Sequence, residues 1–428
     1  MSKSDKSKDL LESGQVEEVA ANGLLHRRAF LKTGAIVASG TTILSATAAP
    51  PEVDSWSTIA GRPPEAYGHR SEFESDVTRD ALTPTASVGA GASRTPHGSL
   101  EGIITPSALH FERHHNGIPN IDPDQHRLLV HGLVSQPLVF DLEALSRYPL
   151  VSRIQFLECS GNSRGLDSDQ PVAGSAQTIH GLLSCSEWTG VPLSILLDEA
   201  GIQTEGKWIL AEGADSSLMT RSVPMSKVMD DAIIALYQNG ERLRPGNGYP
   251  MRLFLPGWEG NTSVKWLRRI KVTEGPTMTR DETSKYTDLQ TDGTAQIFSF
   301  QMGVKSIITS PSGEQSMRGP GLYQISGLAW TGAGRISKVE VSADGGATWG
   351  EAELTGPVLP KALTRFRMPW RWNGGSSLIQ SRAYDETGAV QPTRVSLLSE
   401  RGNQYNYHNH AIQTWQVSSS GEVSNAYA

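Results

Sequence analysis

The sequence predicts an α+β domain over residues 101–294 followed by an all-β, immunoglobulin-like sandwich over residues 295–428. A change of texture near Ala295 and a length that suits two or three domains carry that expectation. Upstream of the change, strands and short helices alternate irregularly. Residues 128–134, 153–157 and 251–255 are strand-like, and the apolar run 232–237 is punctuated by Asn239-Gly240. Residues 192–200 read as a short helix, with Gly201 placed to cap its end. Residues 273–294 form a polar connector. Downstream, residues 335–341 alternate, Asp344-Gly345-Gly346 makes a tight turn, and residues 347–353 return. Further short strands are expected near Phe366, over 379–384 and near Val395. This is sandwich-like patterning without the paired cysteines of antibody domains.

Residues 1–48 read as a targeting signal outside the fold. Arg27-Arg28-Ala29-Phe30-Leu31-Lys32 is a twin-arginine motif, followed by a modest apolar run to Leu44 and an Ala46-Thr47-Ala48 cleavage site. That run is too short and too rich in Gly, Ser and Thr to span a membrane, so no membrane anchor is expected. Export by this route carries proteins already folded, which points to a periplasmic protein loaded with a cofactor beforehand. Residues 49–100 are polar and rich in Pro, Gly and Ser, an extension expected to wrap the surface or to be partly disordered. The net charge is −7, and removing the leader's net +1 leaves −8, which argues against nucleic acid.

Cys159 and Cys185 are the only cysteines. A disulfide between them is the structural alternative in an oxidising compartment. No Cys-x-x-Cys-His, four-cysteine cluster or zinc spacing is present, so any redox chemistry must pass electrons to another protein. Cys159 lies in Arg153-Ile-Gln-Phe-Leu-Glu-Cys-Ser-Gly-Asn-Ser-Arg164, at the end of a strand. Arg164, five residues on, is placed to favour the thiolate and an anion beside it.

Further clusters accompany it: Phe111-Glu-Arg113-His-His115, Trp188 within Ser186-Glu-Trp-Thr-Gly, Asn247-Gly-Tyr-Pro-Met-Arg252, Ser263-Val-Lys265-Trp-Leu, and Tyr286. In this order they resemble the sulfite oxidase family of molybdenum enzymes, from about Thr105 to the C-terminus. Within that family the likeness is to the sulfane dehydrogenase branch, and the tail from Glu400 to His410 contributes to it. The resemblance implies an α+β molybdopterin-binding domain and a dimerising sandwich. It implies molybdenum held by one molybdopterin and by Cys159 as its protein ligand. His115, Asp215, Asn247, Arg252, Ser263 and Lys265 would hold the pterin, and Arg113, Arg164, Trp188, Tyr286 and Arg401 the substrate. Asn247 departs from a histidine in the animal enzymes, His114 replaces an asparagine, and no haem domain precedes the molybdenum domain.

The activity so implied is oxidation of sulfane sulfur on a carrier protein. Electrons would go to a c-type cytochrome subunit, in an assembly built on a homodimer of this chain. Direct oxidation of free sulfite is the nearest alternative. Methionine sulfoxide reduction fits less well, because Arg113 and Arg164 favour an anionic substrate. An exported, non-enzymatic binding module would need neither the twin-arginine motif nor this Arg/Lys/Tyr set.

Overall fold

The structure, a computed structural model, describes residues 18–26, 53–82, 89–402 and 405–428. The first domain is built on two sheets. One places Thr220–Pro224, Trp208–Gly213, Leu267–Thr273, Leu128–Gly132 and Leu138–Phe140 side by side, antiparallel except for the central parallel pair. The other aligns Glu241–Arg242, Ile233–Gln238, Leu183–Pro192 and Val151–Glu158, with Arg252–Phe254 attached to Ile233–Gln238. Helix Leu193–Ala200 buries Leu193, Leu196, Leu197 and Ala200, the spacing of a single helical face. Gly201, at φ +72°, ends it by donating to the carbonyls of Leu197 and Asp198. With Val191, Ile209, Ile234 and Leu253 the helix forms one apolar core shared by both sheets.

The second domain is the expected sandwich. Lys305–Ser310, Gly321–Trp330 and Thr364–Trp372 form one layer, while Ile336–Ser342, Ser377–Asp385, Thr414–Val417 and Val423–Ala426 form the other. Val339, Phe366, Trp370, Ile379 and Trp415 fill the space between them. At the turn, Gly345 and Gly346 take φ of +73° and +90°, and the Asp344 carboxylate accepts from the backbone and hydroxyl of Thr348.

Three expectations are corrected. Val395 lies in helix Arg394–Arg401 rather than in a strand: Thr393 caps it by accepting from Ser396 N, and Val395 is 73% exposed, so it has no sheet face to join. The polar extension is not all surface wrap. Asp80–Leu82 pairs with Gly91–Arg94, which pairs in turn with Glu112–His114, and the three build the sheet that carries Arg113. Lastly, residues 18–26, inside the stretch expected to lie outside the fold, belong to it, because Glu18–Ala20 and Leu24–Leu25 join the sandwich. The twin-arginine motif, its apolar run and the cleavage site fall outside the described residues. No helix among the described residues is long and apolar enough to cross a membrane.

Candidate active site

Strand Val151–Glu158 delivers Cys159 to the mouth between the sheets. Cys159 N donates to the Leu182 carbonyl at 2.9 Å, Asn162 N donates to the Cys159 carbonyl at 2.9 Å, and Ser163 takes a left-handed φ of +65° to close the loop. A Cβ at Gly260 would press on the Glu158 carbonyl at 2.7 Å, so only glycine lets the facing loop approach. Neither cysteine forms a disulfide. Cys185 is buried in the neighbouring strand, opposite Phe156, with its side chain in an apolar cluster.

Beneath Cys159 lies a buried ionic network that crosses from the sandwich. Glu158 accepts from Lys305 Nζ at 3.0 Å, Trp330 Nε1 at 2.6 Å and Asn162 Nδ2 at 2.9 Å. Lys305 also donates to Ser163 Oγ at 2.7 Å, and Ser163 in turn meets His180 Nδ1 at 2.7 Å. Both ends of the Glu158–Lys305 pair are 1–2% exposed. Removing one charge strands the other. Lys305→Met is therefore expected to cost about 3–5 kcal/mol in chemical denaturation. A loss under about 1 kcal/mol would show that Glu158 is carried without its partner.

Above the network opens a cleft. Its walls bring together nine predicted residues: Arg113, His115, Cys159, Asp215, Asn247, Arg252, Ser263, Lys265 and Tyr286. At its inner end Arg252 is buried, its guanidinium donating to the carbonyls of Asn247 at 3.0 Å and Ser263 at 2.7 Å. Its Nε has no partner among the described residues. Lys265 Nζ donates to the Arg113 and Gly246 carbonyls, both at 3.1 Å, and meets His114 Nδ1 at 2.9 Å. Burial, and then the nearby Arg252, pulls Lys265 down to about 7, while burial brings Arg252 to about 9. Glu112 sits beside them. Burial would raise its carboxyl, but hydrogen bonds with His114 and Arg79 outweigh that and hold it at about 2.

At the outer end His115 Nε2 shares a hydrogen bond of 2.8 Å with the Tyr286 hydroxyl. Burial, with Arg113 and Lys285 nearby, holds His115 at about 3, so its ring is neutral. Burial and the neighbouring Cys159 raise the Tyr286 phenol, which stays protonated and able to donate. Burial also raises the Cys159 thiol, opposed by the hydrogen bond with the Gly161 backbone and by the Arg113 charge. The charge that favours the thiolate thus comes from Arg113.

Three predicted residues stand elsewhere. Arg164 is exposed and lines a different cleft with Arg94, Val172 and Thr178. Trp188 is fully buried, stacked on Phe254 at 4.6 Å and beneath the Arg252 guanidinium at 5.2 Å. Arg401 pairs with Asp288 at 2.6 Å and donates to the carbonyls of Tyr407 and His408, anchoring the tail. Conversely, Arg221 was not foreseen. It is fully buried 5.0 Å from the Tyr286 ring centre and held by Glu259, Glu282 and Asn261. Asn261 lines the cleft and donates to Ser160 Oγ at 2.9 Å, and His408 binds Glu259 at 3.2 Å. The Pro256-Gly-Trp-Glu259-Gly-Asn261 run held a signal for two of these. Arg221 sits in an ordinary strand and held none.

An anion would complete the inner end. Two cations, the buried Arg252 with an orphaned donor and the half-buried Lys265 with its pKa pulled down, offer a phosphate more donors than the protein itself satisfies. Asp215, buried beside them, supplies the acceptor that the amino groups of a pterin need. Among the described residues no group of three or more His, Cys, Asp or Glu could hold a metal. A metal at Cys159 would therefore bring its other ligands with it. The residues fit a molybdopterin.

Residues 115–280 match the oxidoreductase molybdopterin binding domain, and residues 296–415 match the Mo-co oxidoreductase dimerisation domain. Fold and cleft together define a molybdopterin-binding oxidoreductase joined to a dimerisation domain. The chain is 30% identical over 387 residues to sulfite oxidase of Gallus gallus, covering 82% of this chain and 79% of that one. It is 30% identical over 350 residues to mitochondrial sulfite oxidase of Homo sapiens, 75% of this chain but 63% of the human enzyme's length. The solved structure of the sulfane dehydrogenase SoxCD from Paracoccus pantotrophus is similar with a TM-score of 0.86 at 47% identity, over 88% of this chain and 98% of that one. The chain belongs to the sulfite oxidase family of molybdopterin oxidoreductases.

Proposed function

We propose that this chain is the molybdenum subunit of a periplasmic sulfane dehydrogenase, oxidising sulfane sulfur on a carrier protein and passing electrons to a c-type cytochrome subunit. The observation that carries the reading is its 47% identity to SoxCD across 98% of that chain, well above its 30% identity to the sulfite oxidases. The cofactor, when bound, supplies two-electron oxygen-atom chemistry in which water is the oxygen source. Cys159 would ligate its metal as the thiolate. Arg252 and Lys265 hold the phosphate, while Asp215, Asn247, Ser263 and His115 orient the pterin. Arg113, exposed at the mouth, meets the oxyanion that builds up on the substrate sulfur, and the protonated Tyr286 donates to it. Arg221, held buried behind the Tyr286 ring, adds positive potential to the same wall.

An exposed arginine at an open mouth suits a substrate presented on a protein arm. Residues 295–428 would pair two such subunits, with the cytochrome bound outside the pair. Purified enzyme supplied with its cytochrome and with both substrates tests the reading. Carrier-bound sulfane should be oxidised faster than free sulfite. Rapid sulfite oxidation with the carrier-bound sulfane left untouched would make the protein a sulfite dehydrogenase.

A further inference from the structure

Residues 18–26 immediately precede Arg27-Arg28, in a stretch that reads as removable, yet they have a built seat on the sandwich. Strand Thr364–Trp372 pairs along one edge with Gly321–Trp330. On its other edge Glu353–Thr355 covers only Arg365, Phe366 and Arg367. Further along that edge Leu24 pairs with Trp370.

Hydrogen bonds beyond the ladder pair fix the segment. Arg371 N donates to the Gly23 carbonyl at 2.8 Å, and Trp370 Nε1 donates to the Asn22 carbonyl at 2.8 Å. The Asn22 amide donates to the Ala343 carbonyl at 2.9 Å, and Ala21 N donates to Thr348 Oγ1 at 2.9 Å. Asn22 and Gly23 turn the chain at φ of +61° and +86°, and a Cβ on Gly23 would overlap the Arg371 carbonyl. Leu24 and Leu25 are 0% and 1% exposed, and Leu24 packs into the sandwich core that holds Phe366, Met368 and Trp370. On the seat side Gly350 leaves room for the segment, since a Cβ there would come within 2.8 Å of Val19.

We propose that residues 18–26 are a docking strap whose partner is the folded sandwich of the same chain, and that seating of the strap couples export to completed folding of that domain. The seat exists only when distant stretches of sequence have come together. Ala343, Thr348 and Gly350 belong to one hairpin, and Trp370 and Arg371 to a strand of the opposite layer. An unfolded sandwich offers neither the strand edge nor the leucine pocket, so a seated strap reports a finished domain. This rests on reading residues 1–48 as a twin-arginine leader.

The test uses the full-length chain in its cytoplasmic, unprocessed form and follows delivery to the outer compartment. Leu24→Asp/Leu25→Asp disrupts the strap, and Gly350→Val disrupts the seat at a site far in sequence from the signal. Both variants should lose hydrogen-exchange protection at the Arg371 amide. Both should also fall severalfold in export while the purified unprocessed protein keeps its activity. Arg27→Lys/Arg28→Lys is run in parallel. If it blocks export while both docking variants are exported normally, the coupling is overturned and the leader reading stands. If it is exported normally, or if the exported protein retains residues 18–26, the leader reading itself fails. Unchanged protection at Arg371 in both docking variants would remove the contact from the protein in solution.

Discussion

Cys159→Ser is expected to remove turnover by about 10³-fold or more, equivalent to roughly 4 kcal/mol of transition-state stabilisation. It should nevertheless leave the pterin bound. A serine hydroxyl is a far weaker acid than a thiol. In a pocket where burial already raises Cys159, with only the Gly161 backbone and Arg113 opposing, it has no route to the anion a metal ligand must be. The soft donor is lost with it. Pterin retention is expected to depend on the other end of the cleft, where Arg252, Lys265 and Asp215 are untouched. Metal and pterin content, measured separately on the purified variant, check this, with pterin retained and activity lost as the expected pair of results. Cys185→Ser should behave in the opposite way. Its side chain lies in an apolar cluster with Phe156, Leu183 and Trp330, so a hydroxyl there costs about 1–3 kcal/mol of stability with no effect on turnover per folded molecule. Equal loss of activity in the two variants would mean that the cysteines act as a pair.

What the sequence disclosed follows from how locally each feature is encoded. The strand leading to Cys159 and its Ser-Gly-Asn-Ser break are written in consecutive residues, as are the Leu193–Ala200 helix and its Gly201 cap. The cationic end was legible for the same reason, because Arg252 and Lys265 flank one short strand and its return. The source of the thiol's favouring charge was not. Arg164 is near Cys159 in sequence but turns away in the Arg164–Asp167 turn, while Arg113 arrives from the three-stranded sheet that the polar extension helps to build. Arg221 occupies one position of the strand Thr220–Pro224, where nothing distinguishes a buried arginine from an exposed one. Only the packing of Glu259 and Glu282 around it gives it a role, and those contacts are long-range. The strand at Leu24-Leu25 was hidden by its brevity, since two residues are too short a run to read as an element without the Trp370 edge they pair with.

Lys265→Met is expected to have opposite effects on the empty and the loaded protein. Without the cofactor, burial and Arg252 leave Lys265 at about 7, far below the 10.5 of an exposed lysine. Between those values the unfolded chain binds a proton that the folded chain does not, so stability should rise with pH from about 7 toward 10. Below 7 the folded state carries the full penalty of the buried charge. Methionine removes that penalty, so the cofactor-free variant should melt higher than the parent near neutral pH and show a flatter dependence above it. With the cofactor in place, Lys265 would stay charged beside the phosphate that it is proposed to hold. The same substitution then forfeits one charge-assisted hydrogen bond, about 1.5–3 kcal/mol, or roughly 10- to 150-fold in cofactor affinity. Thermal melting of both forms across pH, with pterin retention after dialysis, reads out both signs. A variant that weakens the empty protein and retains its pterin would move the phosphate away from Lys265 and leave Arg252 as its anchor.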